Sequence, residues 1–107
     1  MDLSKKQKLI NDIKDKLVTT IHPKSIYLFG SFARNEETSS SDIDILIETN
    51  TNESFPNRNI GIRRSLKGIN FPFDIIIYTP QEILDKAQDK YSLVYKVLKE
   101  GIKLYEE

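Results

Sequence analysis

Residues 42–48 have the sequence DIDILIE, and this stretch decides the fold. Successive side chains of a β-strand point to opposite faces, so Ile43, Ile45 and Ile47 share one face. Asp42 and Asp44 share the other face. The pattern predicts a strand that buries its isoleucine face and carries two carboxylates on the opposite side.

A further strand is predicted on each side of this stretch. Ser25–Phe29 is a short apolar run that ends at Gly30, and residues 71–79 are rich in strand-forming side chains. The remaining pattern predicts an amphipathic helix over 4–20 capped by Ser4 and ended by Pro23, a short helix and loop over 32–41, a polar loop over 50–59, helices over 60–66, 80–88 and 90–100, and an edge strand or packed tail over 102–105.

The composition is that of one small domain. The chain has 107 residues, with 16 basic and 16 acidic side chains, and this size predicts a single domain over 1–107. The lack of Cys excludes a disulfide framework, a zinc knuckle and thiol catalysis, and it fits a reducing, cytoplasmic setting. No apolar run approaches the roughly 18 residues of a membrane span, and no signal peptide is recognisable. The zero net charge argues against a protein that grips nucleic acid through its overall field.

The residues that suggest chemistry are Gly30-Ser31 and the pair Asp42 and Asp44. Taken alone, Gly-Ser after a strand is commonly a turn, and Asp-x-Asp is commonly a solvated face. Together they suggest more, because two Asp at i and i+2 of a strand lie about 6.6 Å apart and can reach one cation or bridge two. Gly30 allows close approach of a phosphate, Ser31 offers a hydroxyl, and the amides of the short helix predicted next would face negative charge.

Asp74 adds a third carboxylate within the last predicted strand. Its neighbours Phe73, Ile75 and Ile76 predict that it is buried. A buried carboxylate without a partner is costly, and no basic residue lies nearby in the sequence, so a metal is the simplest partner. Mg²⁺ suits ligation by oxygen atoms alone, and three gathered carboxylates indicate a two-metal site for phosphoryl-type chemistry.

These motifs resemble those of the minimal nucleotidyltransferases of the DNA polymerase β superfamily. The likeness extends over almost the whole chain, including the closing segment 100–105. One departure is Asn35, where the family often has Gly, and Asn is the next most tolerant residue for a left-handed turn. The residues that carry the resemblance are Leu28-Phe29-Gly30-Ser31-Phe32-Ala33-Arg34, Ser41-Asp42-Ile43-Asp44-Ile45 and Phe73-Asp74-Ile75-Ile76.

The resemblance implies an α/β (α+β) fold, in which a small mixed β-sheet is backed by helices. It also implies that Gly30 and Ser31 hold the β- and γ-phosphates of ATP or another NTP, and that Asp42 and Asp44 ligate two Mg²⁺ ions, for which Mn²⁺ is an alternative. Asp74 would complete the metal site and help to activate an acceptor hydroxyl, whose attack on the α-phosphorus releases pyrophosphate. Arg34 is a candidate triphosphate contact, and pairing with Glu36 or Glu37 is an equal alternative.

Many proteins of the minimal family are antitoxins that transfer AMP to a tyrosine of a companion HEPN-domain ribonuclease toxin. The resemblance therefore implies such a partner. Two alternatives remain open: a binding module that inhibits its partner by contact, and a homodimeric transferase of the aminoglycoside type. The oligomeric state, homomeric or heteromeric, is not decided by the sequence.

Several other residues have more ordinary interpretations. Arg58, Arg63 and Arg64 are expected on a solvated helical face, and the alternative is that they neutralise a triphosphate or contact an acceptor. His22 is expected in a turn. The tyrosines of the last segments, Tyr91, Tyr95 and Tyr105, are expected to serve packing, although an exposed row of them would suit a partner interface.

Overall fold

The computed structural model describes residues 2–107. These residues form four strands and four helices, and a 3-10 turn, Phe55–Asn57, precedes the second helix. None of the helices in residues 2–107 is long and apolar enough to cross a membrane. The elements are α1 (Leu3–Ile21), β1 (Ser25–Phe29), β2 (Ile43–Glu48), α2 (Arg58–Ser65), β3 (Phe73–Tyr78), α3 (Pro80–Lys86), α4 (Leu93–Glu100) and β4 (Ile102–Glu106).

The strands form one mixed sheet in the order β3-β2-β1-β4. Strand β1 is antiparallel to both β2 and β4, whereas β2 and β3 are parallel. This arrangement confirms the fold class that the sequence predicts, a small mixed sheet backed by helices. The closing segment adopts the edge-strand alternative, because β4 pairs with β1 from Ser25 to Leu28.

The two faces of the sheet are covered by different helices. On the isoleucine face, Ile43, Ile45 and Ile47 are buried against apolar side chains of α1 and α2. On the opposite face, Leu46 is fully buried against Ile83 of α3 and against α4. The face that carries Asp44 therefore includes a buried apolar residue, Leu46, which the alternation in the sequence did not predict.

The first helix begins earlier than predicted. Asp2 rather than Ser4 caps it, since the Asp2 side chain accepts a hydrogen bond of 2.8 Å from the Lys5 amide. The helix ends where Pro23 predicts, and His22 adopts a left-handed conformation with φ of 48°. The expected role of His22 as a turn residue is thus confirmed.

The short helix predicted after Ser31 does not form. The Ala33 and Arg34 amides both donate to the Gly30 carbonyl, and the chain then leaves the helical path at Asn35, whose φ is 57°. Further on, side chains occupy the backbone donors: the Thr38 amide donates to Ser41 Oγ over 2.9 Å. Such local bonds compete with a helix, which explains why this polar segment is a turn and loop.

Several other boundaries differ from the predictions. Helix α2 begins at Arg58, inside the predicted polar loop, and β2 begins at Ile43, so that Asp42 precedes the strand. The residues between α3 and α4 form turns, and α4 begins only at Leu93, where Ser92 caps it by accepting a 3.0 Å hydrogen bond from the Tyr95 amide. Strand β3 begins at Phe73, two residues later than expected.

Arg58 does not lie on a solvated helical face, and the prediction for it is wrong. Its side chain is only 9% exposed, and Nη1 donates to Glu82 Oε1 over 2.6 Å and to the Ile77 carbonyl over 3.1 Å. Nε donates to the Glu53 carbonyl over 3.1 Å. Arg58 therefore joins α2, β3 and α3, and its hydrogen bond holds the pKa of Glu82 below the usual value.

Replacing this arginine should weaken the fold. We expect Arg58→Met to lower the free energy of unfolding by about 1–3 kcal/mol, because it leaves a carbonyl and a carboxylate without their donor. Urea unfolding at pH 7 measures the loss, and Arg64→Met, at an exposed position of the same helix, is the control that should change little. The ion pair with Arg58 stabilises the native state only while the Glu82 carboxylate is ionised. The difference in free energy of unfolding between wild type and Arg58→Met should therefore persist above pH about 4.5. It should narrow as the pH falls through the lowered pKa of Glu82. Equal stability of the two arginine variants would contradict this role.

Candidate active site

Asp44 and Asp74 lie side by side on the two parallel strands. The register of β2 and β3 pairs Asp44 with Asp74, directly before the buried pair Ile45 and Ile75. Neighbouring strands are about 4.8 Å apart, and paired residues point to the same face. Two carboxylates from distant parts of the sequence are thus brought together on the face opposite the isoleucines.

The electrostatic environment of Asp44 reflects this crowding. Partial burial, followed by the negative charges of Asp74 and Asp42, raises the pKa of the Asp44 carboxyl above its ordinary value. The positive charge of Arg34 opposes the rise. Asp42 lies just before β2, and its charge acts on the same point as that of Asp74.

Gly30 lies directly against Asp44. Phe29, the last residue of β1, is the register partner of Asp44, and Gly30 follows it with φ of 75°. A Cβ placed on Gly30 would collide with Asp44 Oδ2. Both the backbone conformation and the lack of space therefore require glycine here, and the half-buried Ser31 continues the turn.

Asp74 is exposed, and the prediction that it is buried is wrong. Strand β3 is at the edge of the sheet, and α3 and α4 cover the Asp74 face only further along, at Ile76 and Tyr78. The argument that Asp74 needs a metal because of burial therefore fails. Its place in the site depends instead on its register with Asp44.

Arg34 forms the surface pair that was one of its two alternatives. Its Nε lies 3.3 Å from Glu36 Oε2, and both side chains are largely exposed. An exposed pair of this kind holds weakly, and the Arg34 charge is close enough to Asp44 to act on its pKa. The side chain can therefore exchange its surface partner for an anionic ligand.

The loop that follows Gly30 is fixed by a buried lysine that the sequence analysis missed. Lys6 Nζ donates to Asn35 Oδ1 over 2.7 Å and to Glu37 Oε1 over 2.8 Å, and it lies 5.6 Å from the centroid of the Phe32 ring. The hydrogen bond from Lys6 holds the pKa of Glu37 below its usual value. A signal was present in the sequence, because Lys6 precedes the buried positions Ile10, Ile13 and Leu17 at helical spacing.

The donor set suits a divalent cation that is shared with a ligand. Within residues 2–107, no group of three or more His, Cys, Asp or Glu side chains is gathered closely enough to hold a metal ion, so Asp42, Asp44 and Asp74 do not form a closed set. Mg²⁺ usually takes only one or two carboxylates and completes its shell with water and phosphate oxygens. The pair Asp44 and Asp74, with Asp42 beside it, fits that mode of binding for one ion, and the second ion of the two-metal site stays a prediction.

The remaining predicted side chains lie outside this group. Tyr91 and Tyr95 are exposed, by 85% and 37%, whereas Tyr105 packs against the core on the isoleucine face. Packing is therefore confirmed for Tyr105, and for Tyr91 it is wrong. Arg63 stacks on Phe73, with its guanidinium 5.4 Å from the ring centroid, and Arg64 is exposed as predicted.

Alanine substitutions of Gly30 and Gly61 should change the free energy of unfolding in opposite directions. We expect Gly30→Ala to lower the free energy of unfolding by more than about 1 kcal/mol, since the new methyl group meets Asp44 in a left-handed conformation. Gly61 lies within α2 with open space around its Cα, so Gly61→Ala should raise the free energy by about 0.5–1 kcal/mol. Urea unfolding of both variants tests this pair, and a Gly30→Ala protein as stable as wild type would show that Asp44 is not confined by Gly30.

Comparisons with known proteins agree with this geometry. Residues 11–107 match the family described as "Polymerase beta, Nucleotidyltransferase". A protein of Methanocaldococcus jannaschii named "Putative protein adenylyltransferase" is 31% identical over 98 residues, which cover 87% of this chain and 89% of that protein. A second M. jannaschii protein of the same description is 48% identical over 46 residues, which cover 43% of this chain and 47% of the relative, so this match spans about half of that relative.

A solved structure extends the comparison to the fold. The crystal structure of a "putative nucleotidyltransferase" from Sulfolobus solfataricus superposes with a TM-score of 0.64 and covers 94% of this chain and 79% of that chain. The sequence identity is 23%, so the likeness concerns the fold alone. By the family match and the relative that covers most of its length, the chain belongs to the polymerase beta nucleotidyltransferase family.

Proposed function

We propose that the chain is a Mg²⁺-dependent protein adenylyltransferase, which transfers AMP from ATP to a hydroxyl group of an acceptor protein. The observation that carries the proposal is the convergence of Gly30, Asp44 and Asp74 at one corner of the sheet. The family supports nucleotidyl transfer, and the relatives named as protein adenylyltransferases support a protein acceptor.

In this proposal the triphosphate lies along the turn that begins at Gly30. The missing Cβ lets phosphate oxygens approach the backbone, the Ser31 hydroxyl can donate to them, and Arg34 supplies positive charge. Asp42, Asp44 and Asp74 would hold the divalent cation, Mg²⁺ or Mn²⁺, which when bound neutralises phosphate charge and orients the α-phosphate. The positive charge of the cation would then offset the negative charges of Asp42 and Asp74 that act on Asp44.

The exposed position of Asp74 suits the acceptor side of the reaction. An acceptor hydroxyl arriving from solvent can donate its proton to the Asp74 carboxylate as its oxygen bonds to the α-phosphorus. The bond between the α-phosphorus and the bridging oxygen breaks, and pyrophosphate leaves with that electron pair. Because Asp74 lies on an edge strand, a bulky acceptor such as a protein loop can reach it.

For the acceptor, we propose a tyrosine of a companion HEPN-domain toxin, which the chain would inactivate as an antitoxin. A tyrosine hydroxyl at the end of a long side chain can extend from a protein surface to an exposed carboxylate. The support for this partner is the resemblance of the motifs to the minimal nucleotidyltransferases.

Changes to the carboxylates should abolish transfer. With α-³²P-ATP, Mg²⁺ and the protein encoded by the neighbouring gene, we expect label on that protein. The Asp42→Ala, Asp44→Ala double variant should lower transfer more than about 100-fold, because changing even the partners of metal ligands costs about 10–100-fold. Asp15→Ala, an exposed aspartate of α1, is the control that should transfer normally.

Three further results would each identify a different function: the phosphate that is transferred, the effect of the double variant on the companion protein, and the molecule that carries the label. Transfer from γ-³²P-ATP would identify a phosphoryl transferase and contradict the proposal. A double variant that still neutralises its companion would identify inhibition by contact. Label found only on a small hydroxyl compound, with a homodimeric enzyme, would identify a small-molecule transferase.

A further inference from the structure

We propose that a small cavity between α4 and the turn after Gly30 binds the base of the nucleotide. This inference rests on the proposed function, because it assigns a place to a part of the same substrate. The sequence carries no base-reading signature, and it is the packing of α4 beside the turn that creates the candidate.

The cavity begins beside the carboxylate pair. Its lining includes Phe29, which is the register partner of Asp44, and antiparallel partners have Cβ atoms about 4.5–5.5 Å apart. Gly30 and Arg34 also line it. A nucleotide whose phosphates lie on the Gly30 turn therefore has the cavity within reach of its nucleoside end.

The size of the cavity fits one part of a nucleotide. Its volume is about 210 Å³, below the roughly 300–1,000 Å³ of pockets that enclose a whole drug-sized ligand. A flat ring system can enter such a space while the ribose and the triphosphate stay outside. This division matches a base in the cavity and phosphates at the turn.

The chemistry of the lining also fits a base. Phe29, Ala33, Leu93 and Val97 supply apolar and aromatic surface, which suits the faces of a heterocycle. Lys96 and Glu100, one helical turn apart on α4, are exposed at the rim. A lysine that donates and a glutamate that accepts suit the polar edge of a purine with an exocyclic amino group, such as adenine.

A matched pair of leucines on α4 tests the assignment. Leu93 lines the cavity and is 39% exposed, whereas Leu98 is 40% exposed and lies outside the lining. Calorimetry with Mg²⁺ measures the dissociation constants of ATP and of inorganic tripolyphosphate, which has no base. We expect Leu93→Ala to weaken ATP binding about tenfold and to leave tripolyphosphate binding unchanged, since the lost contact is apolar and touches only the base.

The control variant and the second ligand define the other outcomes. Leu98→Ala should change neither dissociation constant. Unchanged ATP binding by Leu93→Ala, or an equal loss for ATP and tripolyphosphate, would overturn the base site. A wild-type protein that binds neither ligand would instead overturn the proposed nucleotide site itself, so the two failures are distinguishable.

A measurement on the unaltered protein gives the same decision without a substitution. In an amide NMR spectrum of the wild-type chain, ATP should shift the signals of Leu93 and Val97 on α4, whereas tripolyphosphate should shift only those of the Gly30 turn. ATP shifts confined to the turn would overturn the proposal. If the signals of Leu93 and Val97 shift only when the acceptor protein is added, the cavity binds the acceptor, and this result would also overturn the base site.

Discussion

The contact between Asp44 and its two neighbours, Gly30 and Asp74, is the constraint on which the rest of the structure depends. Asp44 and Asp74 are in register because Ile43, Ile45 and Ile47 bury one face of β2. A slip of one residue would move these isoleucines to the other face, so the core fixes the positions of the carboxylates. The same register places Phe29 opposite Asp44, and the chain can then turn past the carboxylate only through a glycine.

The turn itself is held by residues far away in the sequence. Lys6, a residue of α1, donates hydrogen bonds to Asn35 and Glu37. The Phe32 ring packs edge-on against Phe71, with a distance of 5.6 Å between the ring centroids. Phe71 lies just before β3, so this one packing contact links the Gly30 turn to the strand of Asp74. The site is therefore assembled from three segments whose relative positions are fixed by buried contacts, while Asp74 and Arg34 remain accessible to a ligand.

The alternation in residues 42–48 and the apolar run Ser25–Phe29 predicted the sheet well, because burial on one face leaves a clear period of two. Prediction failed where long-range contacts decide the outcome. Asp74 is surrounded by apolar residues in the sequence, yet β3 is an edge strand, and α3 and α4 cover its face only from Ile76 onward. Arg58 was expected on a solvated face and Lys6 was overlooked, yet each is buried by partners more than fifteen residues away in the sequence. The polar segment after Ser31 failed for a local reason, since its Thr and Ser side chains compete for backbone donors.

The central claim is that Asp42, Asp44 and Asp74 hold a divalent cation together with a nucleotide at the Gly30 turn. Mn²⁺, which suits the same oxygen ligands as Mg²⁺, tests it directly, because the ion broadens the NMR signals of nuclei near it. In the presence of a non-hydrolysable ATP analogue, small amounts of Mn²⁺ should broaden the amide signals of residues 30–32, 42–44 and 74 first. Broadening centred on other acidic positions, or uniform broadening over the whole chain, would contradict the account.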